Sequence, residues 1–144
     1  EDIDFQVTSF LDYTPELKPD KILIDAPCSG LGVLRRHPEG KWHKKPEIVR
    51  NLANLQRKLL SHAIEISKPG TEIIYSVCSF EPEESENHVK WLRKEMGERV
   101  EVKSIIYRLP DYYKKYVNRD HVLLIFSGNS EDMDGFGAFV VKVL

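Results

Sequence analysis

Two short apolar segments of the chain end in the same way, each at a cysteine. Residues 22–30 read Ile-Leu-Ile-Asp-Ala-Pro-Cys-Ser-Gly, and residues 73–79 read Ile-Ile-Tyr-Ser-Val-Cys-Ser. A short Ile-rich run that breaks into small or turn-forming residues is typical of a buried parallel strand. The residues just past the carboxyl end of such a strand line the crevice where open α/β sheets bind ligands. We therefore expect Cys28 and Cys78 to face one cleft.

Two helices are predicted from the spacing of apolar residues. The first begins at Pro46, because proline suits the first turn of a helix, and it ends before residues 69–70, Pro-Gly. Its predicted buried face consists of Ile48, Leu52, Leu55, Leu59, Ala63 and Ile66. The second helix begins near Pro82 and ends at Gly97. Its core-facing positions are Val89, Leu92 and Met96.

The remaining apolar runs predict the other strands of one sheet. Strands are predicted at residues 6–11, 21–25, 71–77, 99–106, 121–126 and 136–143. The alternation of strands and helices in the middle of the chain predicts a parallel α/β sheet. The last two strands are joined by the turn-rich residues 127–135, so we expect them to add antiparallel pairing at one edge. Residues 107–118 are predicted to form an aromatic and basic loop or a short helix.

Composition limits the size and class of the protein. A chain of 144 residues with 41% hydrophobic residues is long enough for one globular domain with a core, and a second domain is not expected. No apolar run approaches the ~20 residues needed to span a bilayer, and the first residues lack the basic and apolar regions of a signal peptide. We therefore expect a soluble, cytoplasmic protein. Two cysteines do not form a disulfide framework, and a reducing compartment keeps them as thiols.

Positive charge is concentrated in one segment, although the net charge of the chain is −2. Residues 35–45 contain Arg35, Arg36, Lys41, Lys44 and Lys45. Trp42 lies among them, and the segment has no helical or strand periodicity. Basic side chains around an aromatic ring suit phosphates and stacked bases, so RNA contact is favoured. A solvated basic surface is the alternative.

These segments together resemble the catalytic core of the RNA cytosine-5 methyltransferases, the Nop2/Sun family. Asp-Ala-Pro-Cys-Ser-Gly at residues 25–30 is one signature, and the Cys-Ser strand end at residues 78–79 is the other. Further similar stretches are residues 30–38, 41–42, 55–56, 68–70, 82–84 and 134–143. The resemblance extends from about Val7 to Leu144 and is closest to Sun-type members that act on small-subunit ribosomal RNA. One departure is Val77, where the family usually has Thr, which leaves the strand end in place but removes a hydroxyl.

The resemblance implies a fold, a reaction and roles for particular residues. The fold would be the carboxyl-terminal part of a Rossmann-like S-adenosylmethionine-dependent methyltransferase sheet, mostly parallel with an antiparallel terminal strand. The reaction would be methylation of cytosine C5 in ribosomal or transfer RNA. Cys78 would be the nucleophile, Asp25 would bind the cytosine edge, and Cys28 would help release the product from Cys78. The cofactor would contact Asp12, Asp25 and Pro27, although Asp12 could equally be a turn-capping residue.

The chemistry of cytosine explains why such a site needs a thiol. Carbon 5 is a poor nucleophile, and addition of a thiolate to carbon 6 converts the ring into an enamine that can attack an activated methyl group. An inert buried cysteine is the alternative interpretation of a lone cysteine. Two cysteines at two matching strand ends favour the functional one. No Cys-x-x-Cys or paired His motif supports a metal site.

The glutamates that precede and begin the second predicted helix are interpreted as helix-start charges rather than metal ligands, because the helix dipole favours negative charge there. They are Glu81, Glu83, Glu84 and Glu86.

The segment before Asp12 lacks the glycine-rich turn and the acidic residue with which such methyltransferases hold the cofactor. Two functions therefore stay open: a catalytic piece of an RNA methyltransferase, or a non-catalytic remnant that binds RNA or a partner. We interpret the 144 residues as one partial catalytic domain. An unpaired strand edge would then favour self-association or a complementary amino-terminal polypeptide.

Overall fold

The computed structural model describes residues 3–128 and 132–144, and these form one five-stranded sheet with helices. The strands are β1 (Lys21–Asp25), β2 (Glu72–Val77), β3 (Val100–Lys103), β4 (Leu123–Ile125) and β5 (Phe136–Val143). Their order across the sheet is β1-β2-β5-β3, and β4 also pairs with β5. The predicted link at residues 127–135 includes residues 129–131, which lie outside the described part of the chain.

The direction of the strands confirms the predicted sheet. β1 and β2 are parallel, whereas β5 is antiparallel to β2, β3 and β4, so four strands run one way and the terminal strand runs the other. The predicted position of the antiparallel pairing was wrong in one respect, because β5 lies inside the sheet between β2 and β3. Residues 137–141 of β5 are buried without interruption, and the backbone of β5 pairs with β2 on one side and with β3 and β4 on the other, so both of its edges have partner strands along this stretch.

The helices are α1 (Pro46–Ile66), α2 (Glu86–Met96) and the short α3 (Asp111–Lys114). α1 begins at the predicted proline, but its buried face is rotated from the predicted one. The buried residues are Ala53, Gln56, Leu59, Leu60, Ala63 and Ile64. The prediction was therefore correct only for Leu59 and Ala63. The face that meets the sheet includes the polar Gln56, whose amide binds buried polar groups, and a search for apolar residues alone does not find such a face.

The predicted strand at residues 6–11 is wrong. This segment has no strand partner in the described structure and ends in a 3₁₀ turn at Phe10–Asp12. Side-chain contacts with α1 hold it instead: the Phe10 ring meets the His62 ring edge-on at 5.2 Å, and His62 Nε2 lies 2.8 Å from the Tyr13 carbonyl oxygen. Alternating apolar residues form a strand only when a neighbouring strand supplies the hydrogen bonds, and none does here.

The second helix also begins later than predicted. Pro82–Glu84 forms a separate 3₁₀ turn, and Ser85 has a backbone conformation outside the helical region, so α2 begins at Glu86. This break turns the side chain of Glu84 into the interior.

Each face of the sheet carries a hydrophobic cluster. One cluster packs α1 and α2 against the sheet and includes Leu60, Tyr75, Leu92 and Phe139. The other covers the opposite face beneath the segment that contains α3, and it includes Ile105 and Ile125. None of the described helices combines the length and the apolar character needed to cross a membrane.

Candidate active site

The two thiols lie together at the carboxyl ends of β1 and β2. The two strands are paired as far as Asp25 opposite Ser76, and the Ala26 N–H donates to the Ser76 carbonyl oxygen at 2.9 Å. Cys28 Sγ and Cys78 Sγ are 3.1 Å apart, which is longer than a disulfide bond of about 2 Å, and both are free thiols. The two thiols therefore meet at adjacent strand ends as predicted; both are half-buried, and neither lines the cavity described below.

Cys28 keeps its proton at neutral pH. Burial raises the pKa of the Cys28 thiol to about 12, and the hydrogen bond with Cys78 acts in the same direction. Either sulfur could donate on geometry alone. A protonated Cys28 can therefore donate its S–H to Cys78 Sγ.

A buried carboxylate, Glu84, lies directly behind the thiols. Its side chain accepts the Ser29 N–H at 2.8 Å, the Ser29 Oγ–H at 2.5 Å and the Gln56 Nε2–H at 3.1 Å. Glu84 is 0% exposed. The interpretation of Glu84 as a helix-start charge was therefore wrong, because the residue lies in the 3₁₀ turn before α2 and turns inward.

Gln56 and His88 continue this polar network into the core. Gln56 Nε2 donates to the Pro27 carbonyl oxygen at 2.8 Å as well as to Glu84, so its Oε1 must accept from His88 Nε2, which is 2.8 Å away. This fixes the tautomer of His88 with the proton on Nε2, and Nδ1 has no partner among the described residues. Burial lowers the pKa of His88 to about 4, with the nearby Arg57 charge as the second cause, so the ring is neutral.

Gln56 and His88 were not predicted to be members of the site. One signal for Gln56 was available, because this polar residue occurs among the leucines of an apolar helix and a polar residue in a core needs partners. His88 carried no such signal, because polar and apolar residues are mixed around it in the sequence and nothing there marks it as a core position.

A cavity of about 370 Å³ lies between the amino-terminal segment, β1 and α1, and reaches Pro27, the residue before Cys28. Asp25 and Pro27 lie on its wall. Its apolar lining includes Phe10, Leu11, Leu23, Leu55 and Leu59. The Asp25 carboxylate is exposed and accepts the Ser76 hydroxyl at 3.3 Å. An apolar slot with one carboxylate suits a flat ring linked to a cationic group, so the residues present fit part of S-adenosylmethionine.

Asp12 is not part of that cavity. It is exposed in the 3₁₀ turn and lines a separate hollow formed by the amino-terminal residues Asp4 and Glu16, among others. The structure therefore brings together Asp25 and Pro27, but not Asp12, of the three predicted cofactor residues. The absence of a strand at residues 6–11 explains this, since the prediction placed Asp12 at a strand end.

The basic segment, residues 35–45, forms a 3₁₀ turn at Pro38–His43 and presents its aromatic residue to solvent. Trp42 is 81% exposed, and Lys41 Nζ lies 5.9 Å from the centre of its ring. Lys45 is exposed, and Lys44 Nζ lies 3.9 Å from the position that a Cβ on Gly30 would occupy. Lys44 therefore approaches the loop that carries Cys28, and the exposed Lys41, Trp42 and Lys45 are its neighbours along the chain.

Arg35 and Arg36 behave differently from the lysines. Arg35 forms ion pairs with Asp132 and with Asp134, the latter at 3.1 Å, and Arg36 also pairs with Asp134. These acidic partners were not predicted, because they lie almost a hundred residues away along the chain. Within residues 3–128 and 132–144, no three His, Cys, Asp or Glu side chains form a group that could hold a metal ion.

The fold and the thiol site define an α/β protein of the Rossmann-like methyltransferase class. The chain belongs to the 16S rRNA methyltransferase RsmB/F family, whose model matches residues 3–143. This confirms the resemblance to Sun-type methyltransferases that the sequence motifs carried.

Two curated relatives illustrate the similarity. The ribosomal RNA small subunit methyltransferase B of Shewanella oneidensis is 46% identical over 70 residues, which are 49% of this chain and 16% of the relative. The protein of the same name from Vibrio cholerae is 39% identical over 92 residues, 64% of this chain and 18% of the relative. The chain thus spans less than a fifth of the length of either relative.

Solved structures show the same fold. A methyltransferase homolog protein from Pyrococcus horikoshii superposes with a TM-score of 0.67 at 27% identity, over 89% of this chain and 40% of that chain. NSun6 from Pyrococcus horikoshii with SFG superposes with a TM-score of 0.66 at 25% identity, over 88% of this chain and 30% of that chain.

Proposed function

We propose that this chain carries the catalytic centre of an RNA cytosine-5 methyltransferase that uses S-adenosylmethionine. The observation that carries the proposal is the 3.1 Å separation of Cys28 Sγ and Cys78 Sγ at two adjacent strand ends. Membership of the RsmB/F family and the names of the relatives favour ribosomal RNA over transfer RNA as the substrate. A ribosomal RNA substrate would place the protein in the cytoplasm.

The roles of the two thiols follow from their protonation. Burial holds the proton on Cys28, so Cys78 is assigned as the nucleophile and Cys28 as the thiol that lies against it. Its thiolate adds to C6 of cytosine, and the ring electrons pushed to C5 form a bond to the incoming methyl group. Loss of the C5 proton then expels Cys78 as a thiolate and restores the aromatic ring. Cys28 lies against Cys78 and assists this release.

Asp25 is the residue proposed to bind the cytosine edge. Its carboxylate is exposed at the mouth of the cavity, at the end of the strand that leads to Cys28. Contact with the N3 and amino positions of cytosine would favour the protonated ring, which accepts electrons more readily from a thiolate at C6.

The apolar cavity is proposed to hold part of the cofactor. Phe10, Leu11 and Leu55 would contact a flat ring, while Pro27 and the Asp25 carboxylate would lie beside the charged portion. When bound, S-adenosylmethionine supplies the activated methyl group. SFG, present with the related NSun6, is an analogue of this cofactor. Asp12 lies on a different hollow and is not included.

RNA contact is assigned to the exposed Lys41, Trp42 and Lys45 together with the half-buried Lys44. An exposed indole with a lysine beside it offers a stacking surface and a phosphate partner at once. Arg35 and Arg36 are already paired with acidic side chains, so their role is to fix the segment against residues 132–134.

A second function stays open because one observation favours it. No strand pairs with the outer edge of β1 in the described ranges, and Leu23 on that strand is 69% exposed. Such an edge suits another polypeptide. The alternative is a non-catalytic unit that binds RNA or a partner.

RNA that contains 5-fluorocytidine separates the two functions, because fluorine at C5 prevents the final elimination and traps the enzyme on the base. The assay uses the encoded protein, with any residues that flank these 144, and S-adenosylmethionine. We expect an adduct on denaturing gels that Cys78→Ala abolishes. With ordinary RNA, Cys28→Ala should accumulate an adduct. An adduct that survives Cys78→Ala would overturn the assignment of the nucleophile, and the absence of any adduct would favour the non-catalytic alternative.

A further inference from the structure

We propose that Glu84 is the positioning residue that holds Cys28 within reach of Cys78. The effect of Glu84 on methyl transfer rests on the function proposed above. Its effect on the position of Cys28 is argued only from the contacts of Glu84.

Glu84 anchors the loop on both sides of Cys28. The residue after Cys28 is Ser29, and Glu84 accepts both its N–H at 2.8 Å and its hydroxyl at 2.5 Å. The residue before Cys28 is Pro27, whose carbonyl oxygen accepts Gln56 Nε2 at 2.8 Å, and the same amide nitrogen donates to Glu84 at 3.1 Å. The backbone on either side of the thiol is thus tied to one carboxylate, directly or through one amide.

Glu84 is equally fixed to the strand that carries Cys78. Its backbone carbonyl oxygen accepts the Tyr75 hydroxyl at 2.9 Å, and Tyr75 lies on β2 three residues before the thiol. The turn that holds Glu84 follows Ser79, whose hydroxyl accepts the Glu81 N–H at 3.2 Å. Glu84 therefore links the two strand ends, and the distance between the thiols depends on this link.

The hydrogen-bond donors around Glu84 explain why a carboxylate is needed there. All three partners are donors: the Ser29 N–H, the Ser29 hydroxyl and the Gln56 amide. A carboxylate presents only acceptors, whereas a glutamine side chain presents one acceptor and one NH₂ group. Glu84→Gln therefore keeps the shape of the side chain but directs a donor at another donor. The buried pairing is broken and the loop loses an anchor.

The separation of the thiols can be measured without any methyl transfer. In glutathione redox buffers, the Cys28 and Cys78 thiols lose two electrons and two protons to form a disulfide, while one oxidised glutathione is reduced to two thiols. The equilibrium constant is the effective concentration of one thiol at the other. We expect Glu84→Gln to lower it at least tenfold. Glu83→Gln is the matched control, because Glu83 lies in the same turn and is exposed, and it should change the value less than twofold.

A second variant keeps the test decisive if Glu84→Gln does not fold. Ser29→Ala removes the 2.5 Å hydroxyl contact with Glu84, together with the 3.3 Å contact with Ser79 Oγ, and leaves the N–H contact, so we expect a smaller fall of about threefold or more. Circular dichroism and thermal unfolding identify the folded variants. An unchanged effective concentration in a folded Glu84→Gln, or in Ser29→Ala if the former unfolds, overturns the proposal.

Steady-state kinetics of RNA methylation by the encoded protein test whether the position of Cys28 affects catalysis. Positioning predicts that Glu84→Gln lowers kcat at least tenfold and leaves KM for RNA within about twofold, because the RNA surface at Lys41 and Trp42 is untouched. A raised KM with an unchanged kcat overturns the positioning role. If no variant, including the unsubstituted protein, methylates RNA, the proposed function fails, while the disulfide equilibrium still decides the geometric role of Glu84.

Discussion

Ser29 Oγ and Ser79 Oγ lie 3.3 Å apart, one residue beyond the two thiols. Both this pair and the thiol pair are separated by fifty positions along the chain, whereas the ladder of β1 and β2 pairs residues fifty-one positions apart, as Asp25 with Ser76. The β1 side therefore contains one additional residue between the ladder and the thiols. Pro27 lies in this stretch, and it suits a site outside the ladder because it has no N–H to donate.

The first prediction concerns the close contact of the backbone at Gly32 with the backbone at Gly135 and at Cys78. A Cβ on Gly32 would lie 2.1 Å from the Gly135 carbonyl oxygen and 2.9 Å from that of Cys78. Because both obstacles are backbone atoms, we expect Gly32→Ala to destabilise the protein by more than about 3 kcal/mol. Chemical denaturation measures this.

Gly70→Ala is the control for Gly32→Ala. Gly70 has a φ of +94°, but no atom lies within 4 Å of the position that an alanine methyl group would occupy, so only backbone strain of about 1–2 kcal/mol is expected. An equal loss of stability in both variants would show that steric overlap at Gly32 is not the dominant cause.

The second prediction is the pH dependence that His88 adds to stability. Its folded pKa of about 4 is below the ordinary value of 6.5, so the unfolded chain binds more protons between these values. Stability should therefore fall as pH drops from about 6.5 to 4, by up to about 3 kcal/mol from this residue. The free energy of unfolding measured from pH 7.5 to 4 tests it. His88→Gln keeps a donor for Gln56 and should flatten this part of the curve; an identical slope in the variant would contradict the prediction.

The third prediction is that the two thiols differ in reactivity. Cys28 has a pKa of about 12 and stays protonated, so iodoacetamide at pH 8 should modify Cys78 well before Cys28. Peptide mapping by mass spectrometry after short exposures gives the order. In denaturant, where burial is removed, the two rates should be similar. Modification of Cys28 first in the native protein would contradict the raised pKa of the Cys28 thiol.

The fourth prediction separates the basic segment from ordinary surface charge. Lys41→Gln with Lys45→Gln should weaken RNA binding and reduce the slope of log affinity against log salt by about 1.5 to 2, since each lost phosphate contact removes a released counterion. Trp42→Ala should cost about 1–3 kcal/mol of binding if a base stacks on it. Fluorescence titrations at several salt concentrations measure both effects.

Two exposed lysines on the helices provide the control for the basic segment. Lys58→Gln with Lys90→Gln removes the same charge from α1 and α2. A salt slope that falls equally in both double variants would make residues 35–45 an ordinary solvated surface.

The fifth prediction concerns the outer edge of β1. A polypeptide of these 144 residues should self-associate, because β1 presents unpaired backbone groups beside the exposed Leu23 in the described structure. Leu23→Lys should weaken the association, and Leu17→Lys, which alters an exposed leucine outside the sheet, should not. Sedimentation velocity over a range of concentrations distinguishes these results. A monomer at all concentrations would contradict the prediction.

The sequence alone determined the elements that depend on local signals. Two Ile-rich runs that end in small residues fixed β1 and β2, and with them the meeting of Cys28 and Cys78, because adjacent parallel strands deliver their carboxyl ends to one edge. Pro46 fixed the start of α1 in the same way. Each of these signals is contained in a few neighbouring residues, so it can be recognised without knowledge of the rest of the fold.

Only the tertiary structure decided features that need partners from distant parts of the chain. Residues 6–11 had the alternation of a strand but no neighbouring strand, and Glu84 had the sequence context of an exposed helix start but became a buried acceptor for Ser29 and Gln56. β5 lies in the middle of the sheet because strands from earlier in the chain, β2 and β3, supply hydrogen-bond partners on both of its sides. In each case hydrogen bonding and burial depend on which groups the fold brings together, and sequence proximity carries no information about those groups.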